Sequence, residues 1–153
     1  MALKTGRKAP AFSGTDQNGN KIALKDFKGK KVALYFYPKD DTPGCTAQAC
    51  NLRDNYKALQ KAGIQVIGVS TDSVKSHKKF EQKYDLPFSL IADEDKKIVE
   101  SYGVWGEKKF MGRTYMGITR TTFLIDEAGK IAHIIDKPDT KNHTEEILEV
   151  LSA

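Results

Sequence analysis

Cysteine, arginine and long apolar runs are all scarce in this chain of 153 residues. The only cysteines, Cys45 and Cys50, are too few for a disulfide framework and too few for a four-thiolate zinc site. Arginine supplies Arg7, Arg53, Arg113 and Arg120 among 25 cations, and lysine supplies the rest. Planar, bidentate recognition of phosphate or guanine favours Arg, and the net charge of +5 is scattered rather than gathered into a basic run. Nucleic acid is therefore not an expected partner. The longest apolar run, Val32–Tyr37, falls far short of the ~20 residues that cross a bilayer. The opening MALKTGRKAPAF has no apolar signal core, so the expectation is a soluble, cytoplasmic protein without a membrane partner. His77, His133 and His143 are dispersed, with neither His-x-x-x-His nor Cys/His spacing, and no metal site is expected.

What the sequence does contain is an alternation of strand and helix patterns. No repeat, low-complexity stretch or composition shift marks a linker, which predicts one domain over 1–153. Asn18-Gly19 within Asp16–Asn20 reads as a hairpin turn between short strands, and Lys31–Tyr37 as a buried strand. A Pro-containing loop, Pro38–Gly44, leads into a helix running to about Ala62 with Leu52, Tyr56 and Leu59 inside, stopped by Gly63. Ile64–Ser70 is a second buried strand, and Asp72 or Ser73 caps a helix carrying Val74, His77, Phe80 and Tyr84. Phe88–Ile91 reads as a strand and Asp95–Tyr102 as a short helix. Thr121–Asp126 and Lys130–Asp136 form a hairpin, and Thr140–Leu151 a closing amphipathic helix. Glu107–Ile118, with Gly112 and Gly117, reads as loop or hairpin, and Trp105, Phe110, Met111, Tyr115 and Met116 as core or lid packing. The order ββ-β-α-β-α-β-α-β-β-α implies a mixed sheet with helices on both faces, since parallel neighbours need crossovers. A thioredoxin-like core is one of several α/β architectures compatible with it.

Chemistry concentrates at Thr42-Pro43-Gly44-Cys45. Thr42 reads as the N-cap, Pro43 as the first helical residue, and Cys45 falls in the first turn. A thiolate there gains from the helix dipole and from free backbone N–H groups, the setting in which cysteine pKa falls from ~8.5 toward ~3.5–7.5. Ionisation alone adds at most ~30-fold in reactivity at pH 7, so a fast cysteine enzyme also needs donors where charge develops; Thr42 and Arg120 are the candidates. Five residues along a helix separate Cα atoms by roughly 8.7 Å, whereas a disulfide needs less than about 7 Å. A bond between Cys45 and Cys50 would therefore require the first turns of the helix to unwind.

Pro38-x-x-x-Thr42-x-x-Cys45 resembles the active-site motif of the peroxiredoxins, and the likeness runs nearly end to end. Ala9-Pro10-Ala11-Phe12 is similar to the family's entry segment, YFYPKDDTPGCTAQACNLRD to its reactive loop and helix, and GITRTTFLID to its arginine strand. The Cys spacing resembles that of the bacterioferritin-comigratory-protein, or Q-type, group. The resemblance implies a thioredoxin-like fold with an N-terminal β-hairpin extension, and a monomer that reduces hydrogen peroxide and organic hydroperoxides. It implies Cys45 as the peroxidatic thiolate, Thr42 and Arg120 as its hydrogen-bond partners, and Pro38 as a shield for the pocket. It also implies Cys50 as the resolving cysteine, with thioredoxin or a similar dithiol as reductant and no metal or organic cofactor. Two other readings stand beside it. A thiol–disulfide exchanger would use Cys-x-x-Cys, and a non-catalytic binding module would use the +5 charge on an acidic partner.

Overall fold

A computed structural model describes residues 3–152. Strands β1 (Ser13–Thr15) and β2 (Lys21–Ala23) pair antiparallel across the predicted turn, which the Asp16 carboxylate closes by accepting the backbone N–H groups of Asn18 and Asn20. One turn of 3₁₀ helix, Leu24–Phe27, leads to β3 (Lys31–Phe36), followed by helices α1 (Pro43–Asp54) and α2 (Tyr56–Lys61). Then come β4 (Ile64–Ser70), α3 (Val74–Tyr84), β5 (Ser89–Ala92) and α4 (Lys97–Ser101). The chain finishes with β6 (Trp105–Phe110), β7 (Arg113–Ile118), β8 (Thr121–Ile125), β9 (Ile131–Ile135) and α5 (His143–Ser152).

Seven strands form one sheet in the order β2-β1-β5-β4-β3-β8-β9, parallel at β3/β4 and β4/β5 and antiparallel elsewhere. The period of two in β3 decides what packs where. Val32, Leu34 and Phe36 face one side with Ile98 and Val99 of α4. Ala33, Tyr35 and Tyr37 face the other, with Cys45, Ala49 and Leu52 of α1, Leu59 of α2, Phe80 of α3 and Ile147 of α5. This is the thioredoxin-like mixed sheet with helices on both faces and an added N-terminal hairpin.

Three local features depart from the sequence reading. The helix expected to run unbroken to Ala62 is interrupted at Asn55 (φ −112°, ψ 17°), whose side-chain Nδ2 donates to the Asn51 carbonyl. Asn competes for backbone acceptors in this way, which is why it favours turns over helix interiors. The unassigned stretch is a regular hairpin, β6 against β7, closed by a two-residue turn with φ of 49° at Met111 and 78° at Gly112. Positive φ at both positions is the twist that two-residue hairpins require, but Met seldom supplies it, so the turn is silent in the sequence. Its tip is not core: Phe110, Met111, Tyr115 and Met116 are exposed, and only Trp105 of that group packs against the core. Helix α4 starts at Lys97 rather than Asp95 because the Asp93 carboxylate accepts the Ile98 and Val99 N–H groups. Among the described residues no helix is long and apolar enough to cross a membrane.

Candidate active site

The loop between β3 and α1 is tied down before it reaches Cys45. Asp40 is buried, and its carboxylate accepts the Tyr37 hydroxyl at 2.6 Å and the Ser76 hydroxyl at 2.8 Å, and faces His77 Nδ1 at 2.7 Å. His77 Nε2 lies 2.9 Å from the Ile91 carbonyl, and the Asp40 backbone N–H donates to Asp72. Burial and the neighbouring Asp40 charge push the Tyr37 phenol well above its ordinary range, so it serves as a donor. The bonds from Asp40 to Asp72, Ser76 and His77 join the loop to α3 and its approach, and a satisfied buried network of this kind fixes a unique geometry. Asp40, Asp72 and His77 also form the one trio of close metal-ligand atoms among the described residues, but those atoms are engaged with one another and with the backbone.

Beyond Asp40 the chain turns into α1. Asp41 adopts the left-handed region at φ 57°, and its exposed carboxylate is held below its usual pKa by hydrogen bonds from Lys83 and Tyr84. Thr42 stands at the N-cap with extended backbone, and its carbonyl accepts the Thr46 N–H. Its side chain does not cap the helix as expected. The hydroxyl donates to the Lys39 carbonyl at 2.8 Å instead, which braces the loop. Pro38, half-buried, begins this loop. Pro43 takes the first helical position, and Cys45 is third, so its backbone N–H is among those with no acceptor inside the helix.

Cys45 is 1% exposed, and the Arg120 guanidinium donates from Nη2 to its Sγ at 3.3 Å. Strand pairing accounts for this contact. Thr121 at the start of β8 lies opposite Phe36 at the end of β3, so Arg120 stands beside the strand end that feeds the loop. The other arm of the guanidinium, Nη1, donates to Gln48 Oε1 at 2.7 Å. Gln48 is wholly buried one turn after Cys45 on the same face of α1, and its Nε2 has no partner among the described residues. Sequence reasoning missed Gln48, although its i+3 spacing from Cys45 is a usable signal. It missed Gly44 as well: a Cβ there would sit 3.1 Å from Arg120 Nη2. Gly44→Ala should raise helix stability slightly, because Ala is the better helix former, and yet slow oxidation of the Cys45 thiol by about three- to tenfold by displacing the guanidinium. Thermal melts and stopped-flow rates on one preparation check both signs.

Cys50 is half-buried in an unbroken part of the same helix, and both cysteines are free thiols. At the far end of this face, His143 is wholly buried at the start of α5. Burial lowers its pKa below the ordinary 6.5. The neutral ring fits the contacts, with Nδ1 donating to Glu146 Oε1 at 2.9 Å and Nε2 accepting the Thr122 hydroxyl at 2.8 Å. Because the unfolded chain binds this proton more readily, the stability that His143 contributes is present above pH 6.5 and is lost as pH falls below it. Melts between pH 7.5 and 5 should therefore show a steeper acid loss in wild type than in His143→Gln. Equal slopes would refute the assignment.

The AhpC/TSA family profile matches residues 5–134. Peroxiredoxin Bcp of Escherichia coli is 52% identical over 149 residues, covering 97% of this chain and 96% of that protein. Peroxiredoxin Bcp of Bacillus subtilis is 44% identical over 151 residues, covering 99% and 96%. A solved structure of Xanthomonas campestris peroxiredoxin Q superposes with a TM-score of 0.89 at 32% identity, covering 97% of this chain and 96% of that one. A structure of the bacterioferritin comigratory protein of the same organism, reported in connection with its alkyl peroxide reduction activity, matches with a TM-score of 0.89 at 31% identity, covering 97% and 98%. A buried cysteine at a helix start with an arginine on its sulfur, on a sheet shared with these proteins, leads to one conclusion: the chain belongs to the peroxiredoxins, in their Bcp and Q-type group, and is a thiol peroxidase.

Proposed function

We propose that Cys45 attacks the peroxide, that Arg120, Thr42 and Pro38 shape its pocket, and that Cys50 closes the cycle. The observation that carries this reading is the Arg120–Cys45 contact, in which a cation from 75 residues away is delivered to a buried sulfur. In the first step the Cys45 thiolate attacks one peroxide oxygen. An S–O bond forms and the O–O bond breaks; the leaving oxygen takes up a proton and departs as water or alcohol. The sulfur, oxidised by two electrons, is left as sulfenic acid. Negative charge passes from sulfur to the leaving oxygen, so donors near both atoms lower the barrier. Arg120 and the free N–H of Cys45 at the positive helix end supply them. With its proton committed to the Lys39 carbonyl, the Thr42 hydroxyl offers lone pairs to a peroxide O–H. Pro38, without an N–H and half-buried at the loop's start, shields the pocket from water.

In the second step the Cys50 thiol attacks the Cys45 sulfenic acid, forming the disulfide and releasing water. Oxidation removes the anionic partner of Arg120, which weakens one restraint on the first turn of α1 and favours the unwinding that the bond requires. Thioredoxin or a similar dithiol then returns both sulfurs to thiols. Hydrogen peroxide and organic hydroperoxides are the proposed substrates, the latter in keeping with the alkyl peroxide activity of the Xanthomonas relative.

Intact mass after one equivalent of hydrogen peroxide tests the cycle. Wild type should lose two hydrogens within a single chain. Cys50→Ser should react once at a similar rate, gain one oxygen and then stall, or form a dimer through Cys45. Normal turnover of Cys50→Ser with a dithiol reductant would remove Cys50 from the resolving role.

A further inference from the structure

The two halves of α1 are held by different kinds of contact. The half before Cys50 is attached through groups that the reaction alters, since Arg120 binds Cys45 Sγ and Gln48 Oε1 together. The half after it is attached through groups that the reaction leaves unaltered. Asn51 Nδ2 donates to the Lys141 carbonyl at 2.8 Å, and the Thr144 backbone N–H donates to Asn51 Oδ1 at 2.8 Å. The Thr144 hydroxyl adds a bond to the Asn51 carbonyl at 3.3 Å. Leu52 is wholly buried, and Arg53 Nη1 donates to the Tyr84 carbonyl of α3 at 2.8 Å. The residue next to Cys50 is thus stapled to the approach and first turn of α5.

We infer that Asn51 is the fixed end of the segment that unwinds: its bonds to Lys141 and Thr144 stay closed throughout the redox cycle and confine the opening to Cys45–Cys50. The geometry favours this side. Bringing the two Cα atoms from roughly 8.7 Å to within about 7 Å is a change of only about 2 Å. The four residues between the cysteines can absorb it, and of those only Gln48 and Ala49 are wholly buried. Unwinding past Asn51 would instead break its three bonds to the α5 segment and pull Leu52 out of the core. A fixed end beside Cys50 also limits how far its sulfur can travel, so Asn51 restrains the resolving step through the extent of the opening. The inference rests on the Cys45–Cys50 pairing proposed above.

The Thr144 amide reports directly on the staple, because its acceptor is the Asn51 side chain. Residue-resolved hydrogen exchange is compared in the dithiol and in the disulfide, the latter made with one equivalent of hydrogen peroxide and separately with diamide. Protection at 46–50 should fall by about 100-fold or more on oxidation, while Thr144 and Asn55 stay within about threefold of the reduced protein. A loss at Thr144 matching that at 46–50 would overturn the inference and leave the disulfide mechanism standing. Failure of both oxidants to form the Cys45–Cys50 bond would overturn both. Asn51→Ala supplies a kinetic test. Freed of two side-chain hydrogen bonds, opening should spread to Asn55, and disulfide formation should accelerate about five- to tenfold relative to sulfenate formation. An unchanged ratio of the two steps in a folded Asn51→Ala protein would count against the staple. Should that variant not fold, the wild-type Thr144 comparison decides.

Discussion

Replacing Cys45 by serine should lower the rate of peroxide consumption by at least about 10⁴-fold while leaving the fold in place. Serine is close in size to the thiol it replaces, so the buried position at the start of α1 stays filled and the Arg120 guanidinium keeps an acceptor. The hydroxyl, however, is not ionised near neutrality and is a poor nucleophile toward oxygen, so the S–O bond has no equivalent. Cys50 remains in this variant. It is half-buried, lies well past the helix start, and its sulfur is not the one that Arg120 holds. Its residual reaction should therefore run at the rate of an ordinary thiol. Stopped-flow consumption of hydrogen peroxide, with thermal melts to establish folding, makes the comparison. Equal rates in wild type and Cys45→Ser would end the assignment of this sulfur.

Arg120→Ala should slow the same first step by about 10²–10³-fold, the usual effect of removing a donor aimed at developing charge. The size of the loss separates two roles for the guanidinium. An ordinary thiol is a few per cent ionised at pH 7, so ionisation accounts for no more than ~30-fold. A larger deficit, persisting at a pH where the thiol is fully ionised, must come from the transition state, where charge moves onto the leaving oxygen. Arg120→Lys distinguishes charge from shape. A single ammonium keeps the cation, yet its donors do not reproduce a planar fork that reaches Cys45 Sγ with one arm and Gln48 Oε1 with the other. Its rate should fall between wild type and alanine. A lysine variant as fast as wild type would reduce the role of Arg120 to charge alone.

Much of this molecule was legible in its residues because the relevant signals are local. The apolar run of β3, the Asn-Gly turn and the Thr-Pro entry to α1 each act through neighbours within a few positions, and each element formed where those signals placed it. Where a local rule had two outcomes, reading failed. Asn55 broke a helix whose apolar stripe continued past it, and Met111 took a turn position that composition assigns to Asn or Gly. Thr42 was identified by its motif, but the bond its hydroxyl makes, to Lys39 rather than to the helix, depends on the path of the loop. Gln48, Gly44 and Asn51 went unread, since nothing in their immediate surroundings says what faces them.

The residue pattern by itself determined that strands and helices alternate, that a cysteine begins a helix, and that a second cysteine lies too far along that helix to bond without disorder. Only the tertiary structure decided that one Arg120 guanidinium bridges Cys45 and Gln48, that Asp40 and His77 brace the loop before α1, and that Asn51 is stapled to α5. The physical reason is range. Backbone preference and apolar period are set over a few residues, whereas contacts across 37, 75 and 93 positions exist only after strand pairing and core packing have brought their elements together.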